Sequence, residues 1–419
     1  MDYSLCGNKK VKIAMILDTI QGFPPDIRVE KEINALISAG FSVSLLSRKT
    51  KSNYKNYERI FNNFEVYRHK IERNLSYKIY YRISFIKKEW LNPIYQFIKN
   101  TKPDFIHAHD FTIVPTALKI AKKFHIPVVA DLHEDMPAAR IAYRKGYKIF
   151  RKFLASFLEN YFIMRIYEKK ILQQCIRIIV VSPEFKDRII NIYKIHPDKI
   201  IVVSNTEDPH KFDDIPVDFN VLKKYSNQWT MLYIGGIGPH RGLDVTLSSL
   251  SICCKFIPNL KLVIIGVKNH DQRKYLLTLI RKYNVTDYVE IIDWIDFDLL
   301  KSYILASKIC LVPFNKSEHT EIAIPHKLFQ YMLLKKPVIV SDCAALKRIV
   351  QQNSCGFVFR AGNPEDLARC IIKSFNLGDK LQIYAENAYK AAKEKYSWDK
   401  DARKLIKMYI NLSHECKKN

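Results

Sequence analysis

Short apolar runs of strand length alternate with amphipathic helical patterns along this chain, and the alternation starts twice. The first series begins with VKIAMIL at residues 11–17, and the second begins with MLYI at residues 231–234. A strand-length run, a loop and a helical pattern in succession are typical of parallel strands joined by helical crossovers. The sequence therefore predicts an α/β protein with two Rossmann-like, doubly wound domains facing each other across a cleft.

The polar stretch between the two series sets the expected domain boundaries, and 419 residues are too many for one typical core. We expect an N-terminal domain over residues 1–210, a linker over 211–228 and a C-terminal domain over 229–397. For the last helix, about 398–419, packing back on the first domain is an alternative. No GxGxxG motif follows the first strand, so classical dinucleotide binding is not supported.

Charge is the strongest compositional signal. Lys and Arg number 68 against 42 Asp and Glu, a net charge of +26. Such a field attracts nucleic acid, anionic lipid or phosphorylated substrates, and composition alone does not choose among them. No zinc knuckle or RNA-recognition signature supports nucleic acid.

The chain shows no sign of disulfides, structural zinc or a membrane span. The nine cysteines include no CxxC pair and no cluster with histidines at metal spacing, which is typical of reduced cytosolic thiols. The pair Asp296 and Asp298 mimics a DxD metal motif, but Asp296 is most simply a helix N-cap. No apolar run reaches about 18 residues and no cleavage pattern follows the first strand, so we expect a cytoplasmic protein.

The stretch EIAIPHKLFQYMLLKKPVIVSD, residues 321–342, predicts a loop, a helix from about Pro325, a tight turn and a buried strand. Proline suits the first helical turn because its missing N–H would have no partner there. The free N–H groups at the helix start, the helix dipole and Lys327 together suit an anion such as a phosphate. One turn further, Gln330 places a polar group in an apolar run, which favours a ligand contact over a helix-turn contact.

Polar residues also follow two strands of the first series. FIHAHD ends at His109 and Asp110, and VVADLHED carries His133 and Glu134. Doubly wound sheets bind their ligands at such strand ends, so these residues are candidates for function. The alternatives are a helix-capping role for His133 and a structural role for one of His107 and His109.

In a consistent order, segments throughout the chain resemble the GT-B glycosyltransferases of the retaining family four, the group 1 glycosyl transferases. In the first half these segments are DIRVEKEI with AGFSVSLL, FIHAHD, DLHEDMP and VVSNTED. In the second half they are YIGGIGPHRGLD, LVIIG, VEIIDWID, ICLVPF, IPHKLFQYM with KKPVIVSD, GFVFRAGNPEDLA and YSWD.

The resemblance implies that the second domain binds a nucleotide sugar and the first holds the acceptor. It implies no metal or other cofactor, because cationic side chains and a helix N-terminus stabilise the departing diphosphate. Carried over by position, the donor-binding residues are Gly236, His240, Arg241, Glu321, Lys327, Leu328 and Gln330. The catalytic residues are His133 with Glu134, and the candidates for acceptor binding are Gly22, Arg28, His109 and Asp110. For Gly22 and Arg28, a surface helix start is an equal alternative.

The chain departs from the family pattern at two donor positions. Gly236 stands where many members have a phosphate-contacting arginine, and His240 is a candidate to replace it. Gln330 stands where most members have the second glutamate of an E-x7-E motif. The first glutamate position falls on Ile322, with Glu321 beside it, so the acidic pair is absent in strict form.

We therefore expect a retaining, metal-independent hexosyltransferase. It would move a sugar from a nucleotide sugar to a glycan or polyprenyl-linked acceptor in bacterial-type cell-surface polysaccharide synthesis. Residues 142–170 interleave basic and aromatic side chains, which favours contact with an anionic membrane at its inner face over an ordinary core-covering helix. The alternative function is a catalytically inactive GT-B scaffold of a glycan-assembly complex. We expect no nucleic-acid partner.

Overall fold

A computed structural model describes residues 10–20, 22–24, 26–72, 74–144 and 160–418. The described residues form two compact units. The first comprises those within 1–137, 150–204 and 401–419, and the second those within 138–149 and 205–400. Apart from the short segment 138–149, the chain passes into the second unit just after Ser204 and returns just after Lys400.

The first unit is built on one twisted sheet with helices between its strands. Its strands are β1 (Lys12–Leu17), β2 (Ser42–Arg48), β3 (Tyr57–Phe61), β4 (Phe64–His69), β5 (Phe105–His109), β6 (Val128–Leu132), β7 (Arg177–Val180) and β8 (Ile200–Val202). The helices that follow in this part of the chain are α1 (Ile27–Ser38), α2 (Leu75–Ser84), α3 (Lys88–Thr101), α4 (Val114–Phe124), α5 (Met136–Arg144), α6 (Tyr161–Leu172) and α7 (Pro183–Tyr193). The strand order is β3-β4-β2-β1-β5-β6-β7-β8, and only the β3–β4 pair is antiparallel.

Strand register in this sheet brings polar residues together at one edge. Leu17 of β1 pairs with His109 of β5, and His109 pairs with Asp131 of β6. β5 and β6 are buried along their whole length, as expected for central strands covered by helices on both faces. Their carboxyl ends therefore place a buried histidine beside a buried aspartate.

The second unit repeats the architecture with a smaller sheet. Its strands are β9 (Trp229–Ile234), β10 (Leu260–Val267), β11 (Val289–Asp293), β12 (Ile309–Val312), β13 (Val338–Ser341) and β14 (Gly356–Phe359). Its helices are α8 (Phe219–Tyr225), α9 (Leu243–Cys253), α10 (His270–Lys282), α11 (Phe297–Ala306), α12 (Glu318–Ile322), α13 (His326–Leu333), α14 (Ala344–Asn353), α15 (Pro364–Asn376) and α16 (Leu381–Glu394). The order is β11-β10-β9-β12-β13-β14, and every pair is parallel.

The prediction of two parallel-sheet α/β domains is confirmed. The expected linker 211–228 contains α8. Phe85, directly after α2, adopts the left-handed conformation, and α3 begins three residues later at Lys88. The final helix α17 (Trp398–Lys418) belongs to the first unit from Asp401 onward. There Tyr409 is fully buried and donates or accepts a 2.9 Å hydrogen bond with Nδ1 of His107.

The membrane segment expected at 142–170 lies largely outside the described residues, since 145–159 are not part of them. Within the described part of the chain, no helix combines the length and the apolar character needed to cross a bilayer.

Candidate functional site

In the second unit, the helix start expected to bind an anion is present. α13 begins at His326, and Pro325 occupies the N-cap position with an extended backbone. The short helix α12 precedes it and is fixed by a capping box between Ser317 and Thr320. Lys327 therefore lies in the first turn of a helix whose leading N–H groups point out of its start.

Lys327 is a buried cation without a hydrogen-bond partner. Its side chain is 7% exposed, and Nζ makes no hydrogen bond with the described residues. Nζ lies 3.7 Å from the ring centre of Tyr233 and 5.7 Å from that of Phe314. Burial, and then the charge of Arg241, hold the pKa of Lys327 well below its usual 10.5. A buried ammonium next to a second cation is costly, and a bound anion would relieve that cost.

Arg241 and His240 are the neighbours of Lys327 at this site. They end a short 3₁₀ turn, Pro239–Arg241, and the Arg241 guanidinium carbon lies 5.1 Å from the Phe314 ring centre. Both ring nitrogens of His240 are buried without a partner among the described residues. Burial, and then the charge of Arg241, lower the pKa of His240 to about 3. His240 is therefore neutral at pH 7 and offers one N–H donor, so it does not restore the charge lost at Gly236.

Glycines shape the space around these cations. Gly242 has φ +69°, and a Cβ there would lie 1.7 Å from the carbonyl oxygen of Pro313, so only glycine fits before α9. A Cβ on Gly235 would lie 3.4 Å from Lys327 Nζ, whereas a Cβ on Gly236 would meet nothing within 4 Å. The Gly236 position thus borders open space beside the Lys327 site.

The other predicted donor residues differ in the hydrogen-bonding groups that they leave for a ligand. Glu321 accepts a 2.8 Å hydrogen bond from the Ala344 N–H and pairs with Lys316 at 3.3 Å, so it already caps α14. The Leu328 side chain is fully buried, which leaves only its backbone for a ligand. Gln330 is 5% exposed, and its amide has no hydrogen-bond partner in the described chain. Of these residues, Gln330 has the most hydrogen-bonding capacity left for a ligand.

In the first unit, the predicted residues surround Asp131, a fully buried carboxylate at the end of β6. Arg28 donates to Asp131 from Nε at 3.1 Å and from NH2 at 2.7 Å, and to the Val203 carbonyl at 3.0 Å. Glu32 lies 3.1 Å from the same Nε. Burial would raise the pKa of Asp131, but the charges of Arg28 and His133 hold it well below its usual value.

Arg28 is therefore not at a surface helix start. It is 4% exposed, and its guanidinium is occupied by Asp131, Glu32 and a backbone carbonyl. That burial argues for a structural role rather than acceptor binding. Packing also explains the glycine at position 22, because at its φ of +72° a Cβ would lie 2.7 Å from the Arg48 carbonyl oxygen.

Three histidines surround Asp131, and only His133 among them is partly exposed. The rings of His107 and His109 are stacked 4.4 Å apart, and both are at most 1% exposed. His109 Nδ1 lies 3.1 Å from Asp131 Oδ2, and His133 Nε2 lies 2.8 Å from the same atom. The His133 side chain is 19% exposed. His133 is thus the group of this set that can meet a substrate.

Asp110 and Glu134 flank His133. Asp110 adopts a left-handed backbone with φ 68°, and its Oδ2 lies 3.6 Å from His133 Nδ1. Its side chain is 31% exposed. Glu134 follows His133 in the loop between β6 and α5 and is half-buried. The strand-end residues Asp110 and His133 thus lie close together.

Two residues of these clusters escaped sequence analysis. One is Asp131, although an acid inside the apolar run VVADL signals a buried charge that needs partners. Tyr143 of α5 groups with the second unit, and its ring centre lies 5.1 Å from that of His240 and 5.6 Å from that of His319. Nothing in the local sequence of Tyr143 indicated this contact.

Glu32, His107, His109 and Asp131 lie near enough together to share one cation. The guanidinium of Arg28 already lies against both carboxylates and supplies their positive charge. This arrangement fits a hydrogen-bond network whose carboxylates are neutralised by an arginine, and a metal ion would have to displace Arg28. The expectation of a metal-free protein stays a prediction.

Two family models together match most of the chain. Residues 28–211 match the model "Glycosyltransferase Family 4", and residues 214–391 match "Glycosyl transferases group 1". With two parallel-sheet α/β units, the chain belongs to the group 1 glycosyltransferases and has the GT-B fold.

Relatives agree with this assignment. An uncharacterized glycosyltransferase of Methanocaldococcus jannaschii is 22% identical over 317 residues, 74% of this chain and 75% of that protein. Among solved structures, a sucrose-phosphate synthase of Thermosynechococcus elongatus matches with a TM-score of 0.78 at 16% identity, covering 97% of this chain and 100% of that one. HepE of Anabaena, solved with UDP-glucose, matches with a TM-score of 0.70 at 13% identity, covering 95% and 99%. At such identities these structures bear on the fold alone.

Proposed function

We propose that the protein is a retaining glycosyltransferase that takes its sugar from a nucleotide-sugar donor without a metal ion. The observation that carries the proposal is Lys327, a buried cation with no hydrogen-bond partner in the described chain, at a helix start beside Arg241. A diphosphate supplies the negative charge that this pair lacks. HepE, a structural neighbour, was solved with UDP-glucose, which is consistent with such a donor.

In this proposal the cations act on the leaving group. Lys327 and Arg241 bind the diphosphate oxygens, and the N–H groups at the start of α13 add the positive end of the helix dipole. These charges become more favourable as the bond to the anomeric carbon breaks and negative charge builds on the phosphate. Neutral His240 contributes one hydrogen bond, and Gln330 contacts the ribose.

The first unit is proposed to supply the acceptor side. His133, with Glu134 beside it, would contact the transferred sugar, and Asp110 would contribute to acceptor binding. His109 is 1% exposed, so its part would be to support His133 through Asp131.

A lipid-linked acceptor is supported by the surface of α6. Phe162, Ile163 and Ile166 are 73%, 59% and 58% exposed, and Lys169 and Lys170 follow in the last turn of the helix. Exposed apolar side chains beside lysines suit an anionic membrane surface. We therefore propose a peripheral enzyme at the inner face of the cell membrane, in the synthesis of a cell-surface polysaccharide.

A donor panel tests the proposed function. Purified protein is expected to melt at a higher temperature with one nucleoside diphosphate, since a ligand that binds only the folded state stabilises it. Mass spectrometry of products from UDP-, GDP- and ADP-sugars then identifies the sugar transferred. Neither binding nor turnover with any member of the panel would overturn the proposal.

A non-catalytic scaffold is the second candidate, favoured by Gln330 and Gly236 in place of the usual charged residues. For an enzyme, Gln330→Ala removes about one hydrogen bond, about 1 kcal/mol, and so weakens nucleotide binding about fivefold. Gln330→Glu keeps an acceptor oxygen and is expected to retain most of the binding. If Gln330→Ala and Arg241→Ala both leave glycan assembly in cells unchanged, the scaffold function is supported.

A further inference from the structure

We infer that His133 is held as an imidazolium cation by Asp131, with Asp110 in support, so that it serves as a fixed positive charge and never as a general base. Asp131 is the positioning residue of this arrangement. The inference deepens the proposed function, and only its consequence for sugar transfer rests on that function. The charge state of His133 follows from contacts within the first unit.

The geometry around Asp131 fixes one proton on His133. Oδ2 of Asp131 lies 2.8 Å from His133 Nε2, 3.1 Å from His109 Nδ1 and 3.1 Å from Arg28 Nε. An ionised carboxylate only accepts hydrogen bonds, so each nitrogen that bonds to it must carry a hydrogen. Arg28 keeps Asp131 ionised, as the lowered pKa of this carboxyl also indicates.

The second ring nitrogen of His133 faces another carboxylate. Nδ1 lies 3.6 Å from Oδ2 of Asp110, which favours a hydrogen on that nitrogen as well. This contact is the weaker one, since it is longer and burial raises the pKa of Asp110. With carboxylate oxygens at both nitrogens, the doubly protonated ring fits this pocket better than either neutral tautomer.

The surroundings of His133 and His109 shift the pKa values of these two histidines in opposite directions. Burial alone lowers the pKa of His133, and Arg28 opposes its charge, but Asp110 and Asp131 outweigh both and raise the pKa to about 10. Burial, and then the His107 ring, instead lower the pKa of His109 to about 3. Of His109 and His133, it is therefore the more exposed ring, His133, that carries the extra proton.

An imidazolium has no lone pair with which to take a proton. In the proposed transfer, the acceptor oxygen bonds to the anomeric carbon while the bond from that carbon to the phosphate oxygen breaks. His133 cannot accept the hydroxyl proton, so that proton passes to another group, such as the phosphate oxygen that departs with a negative charge. What His133 can supply is a positive charge beside the developing negative charge.

Histidine-selective ¹⁵N NMR of the full chain tests the inference without any substrate. The chain has 12 histidines, and the signal absent from a His133→Gln variant identifies this ring. Both nitrogens are expected to show imidazolium shifts from pH 6 to about 9, with a midpoint near pH 10. A neutral tautomer at pH 7.5, or a midpoint near the ordinary 6.5, would overturn it.

Two variants show which carboxylate raises the pKa of His133. Asp110→Asn, at a side chain 31% exposed, is expected to fold and to lower the midpoint. Asp131→Asn is expected to lower it further but also to destabilise the unit, so its melting is measured alongside. An unchanged midpoint in a folded Asp131→Asn variant would contradict the role of Asp131. If no donor gives turnover, the proposed function fails while the NMR result still decides the charge of His133.

Discussion

Replacing Lys327 with methionine is expected to abolish the response to a nucleoside diphosphate and to stabilise the ligand-free protein. Losing a preorganised charge at a developing anion lowers turnover by about 10²–10³-fold. In the free protein, methionine of similar length removes a buried ammonium that has no hydrogen-bond partner among described residues. Stability and binding thus move in opposite directions, which a merely misfolded variant would not show.

The pH dependence of this gain has a definite sign. Because the pKa of Lys327 in the folded protein is below its usual 10.5, folding disfavours the charged form. That cost is absent above pH 10.5, grows as the pH falls below that value and is complete below the lowered pKa. The stabilisation by Lys327→Met should therefore be larger at pH 7 than at pH 10.5.

Thermal melts with and without the diphosphate measure both effects. Lys390→Met, at an exposed position on α16, is the matched control and should change neither stability nor binding appreciably. A Lys327→Met variant that binds the diphosphate as tightly as the natural chain would remove Lys327 from the site. A variant less stable than the natural chain would contradict its being a cost to the free fold.

The strands of both sheets could be predicted because buried parallel strands appear in sequence as unbroken apolar runs. The β3–β4 hairpin escaped prediction for the opposite reason. β3, Tyr57–Phe61, is an edge strand with Glu58 and Arg59 in its middle, and most of its residues are exposed. Exposed edge strands lack the apolar signal and are identified only when their partner is known.

In the second unit, the helix start could be predicted from the sequence, but the environment of Lys327 and His240 depends on distant segments. Lys327 is enclosed by rings from β9 and from the loop after β12, at Tyr233 and Phe314. The neutral state of His240 likewise follows from burial beside Arg241, which no spacing rule gives.

In the first unit, the burial of Arg28 could not be predicted because its partners are distant in sequence. Arg28 and its partner Asp131 are 103 residues apart, and His107 and Tyr409 are 302 apart. A local pattern identified a helix start with an arginine, and it could not show that the sheet places a buried carboxylate beneath it. Charged pairs joined only by tertiary structure are therefore where prediction from motifs fails.

Replacing Arg28 with methionine is expected to destabilise the first unit by about 3–5 kcal/mol, the usual cost of breaking a buried ion pair from one side. Asp131 and Glu32, both fully buried, would lose their shared cation. Hydrogen-exchange mass spectrometry of β1, β5 and β6 reads this unit separately from the second. Arg59→Met, in a pair with Glu65 in which Arg59 is 61% exposed, is the matched control and should leave exchange unchanged.

The size of this loss should depend on pH. Arg28 holds the pKa of Asp131 well below its usual 3.8, so its contribution is present above that value and disappears as the pH falls through the lowered pKa. Without Arg28, the two carboxyls can escape their unpaired charge only by binding protons. Burial, and then the charge of Asp131, raise the pKa of Glu32 to about 7, so the part of the Arg28→Met defect that comes from an ionised Glu32 should be largest near pH 8 and shrink as the pH falls below 7. A defect that is small, or that does not change with pH, would show that the buried carboxylates do not depend on Arg28 for their charge balance.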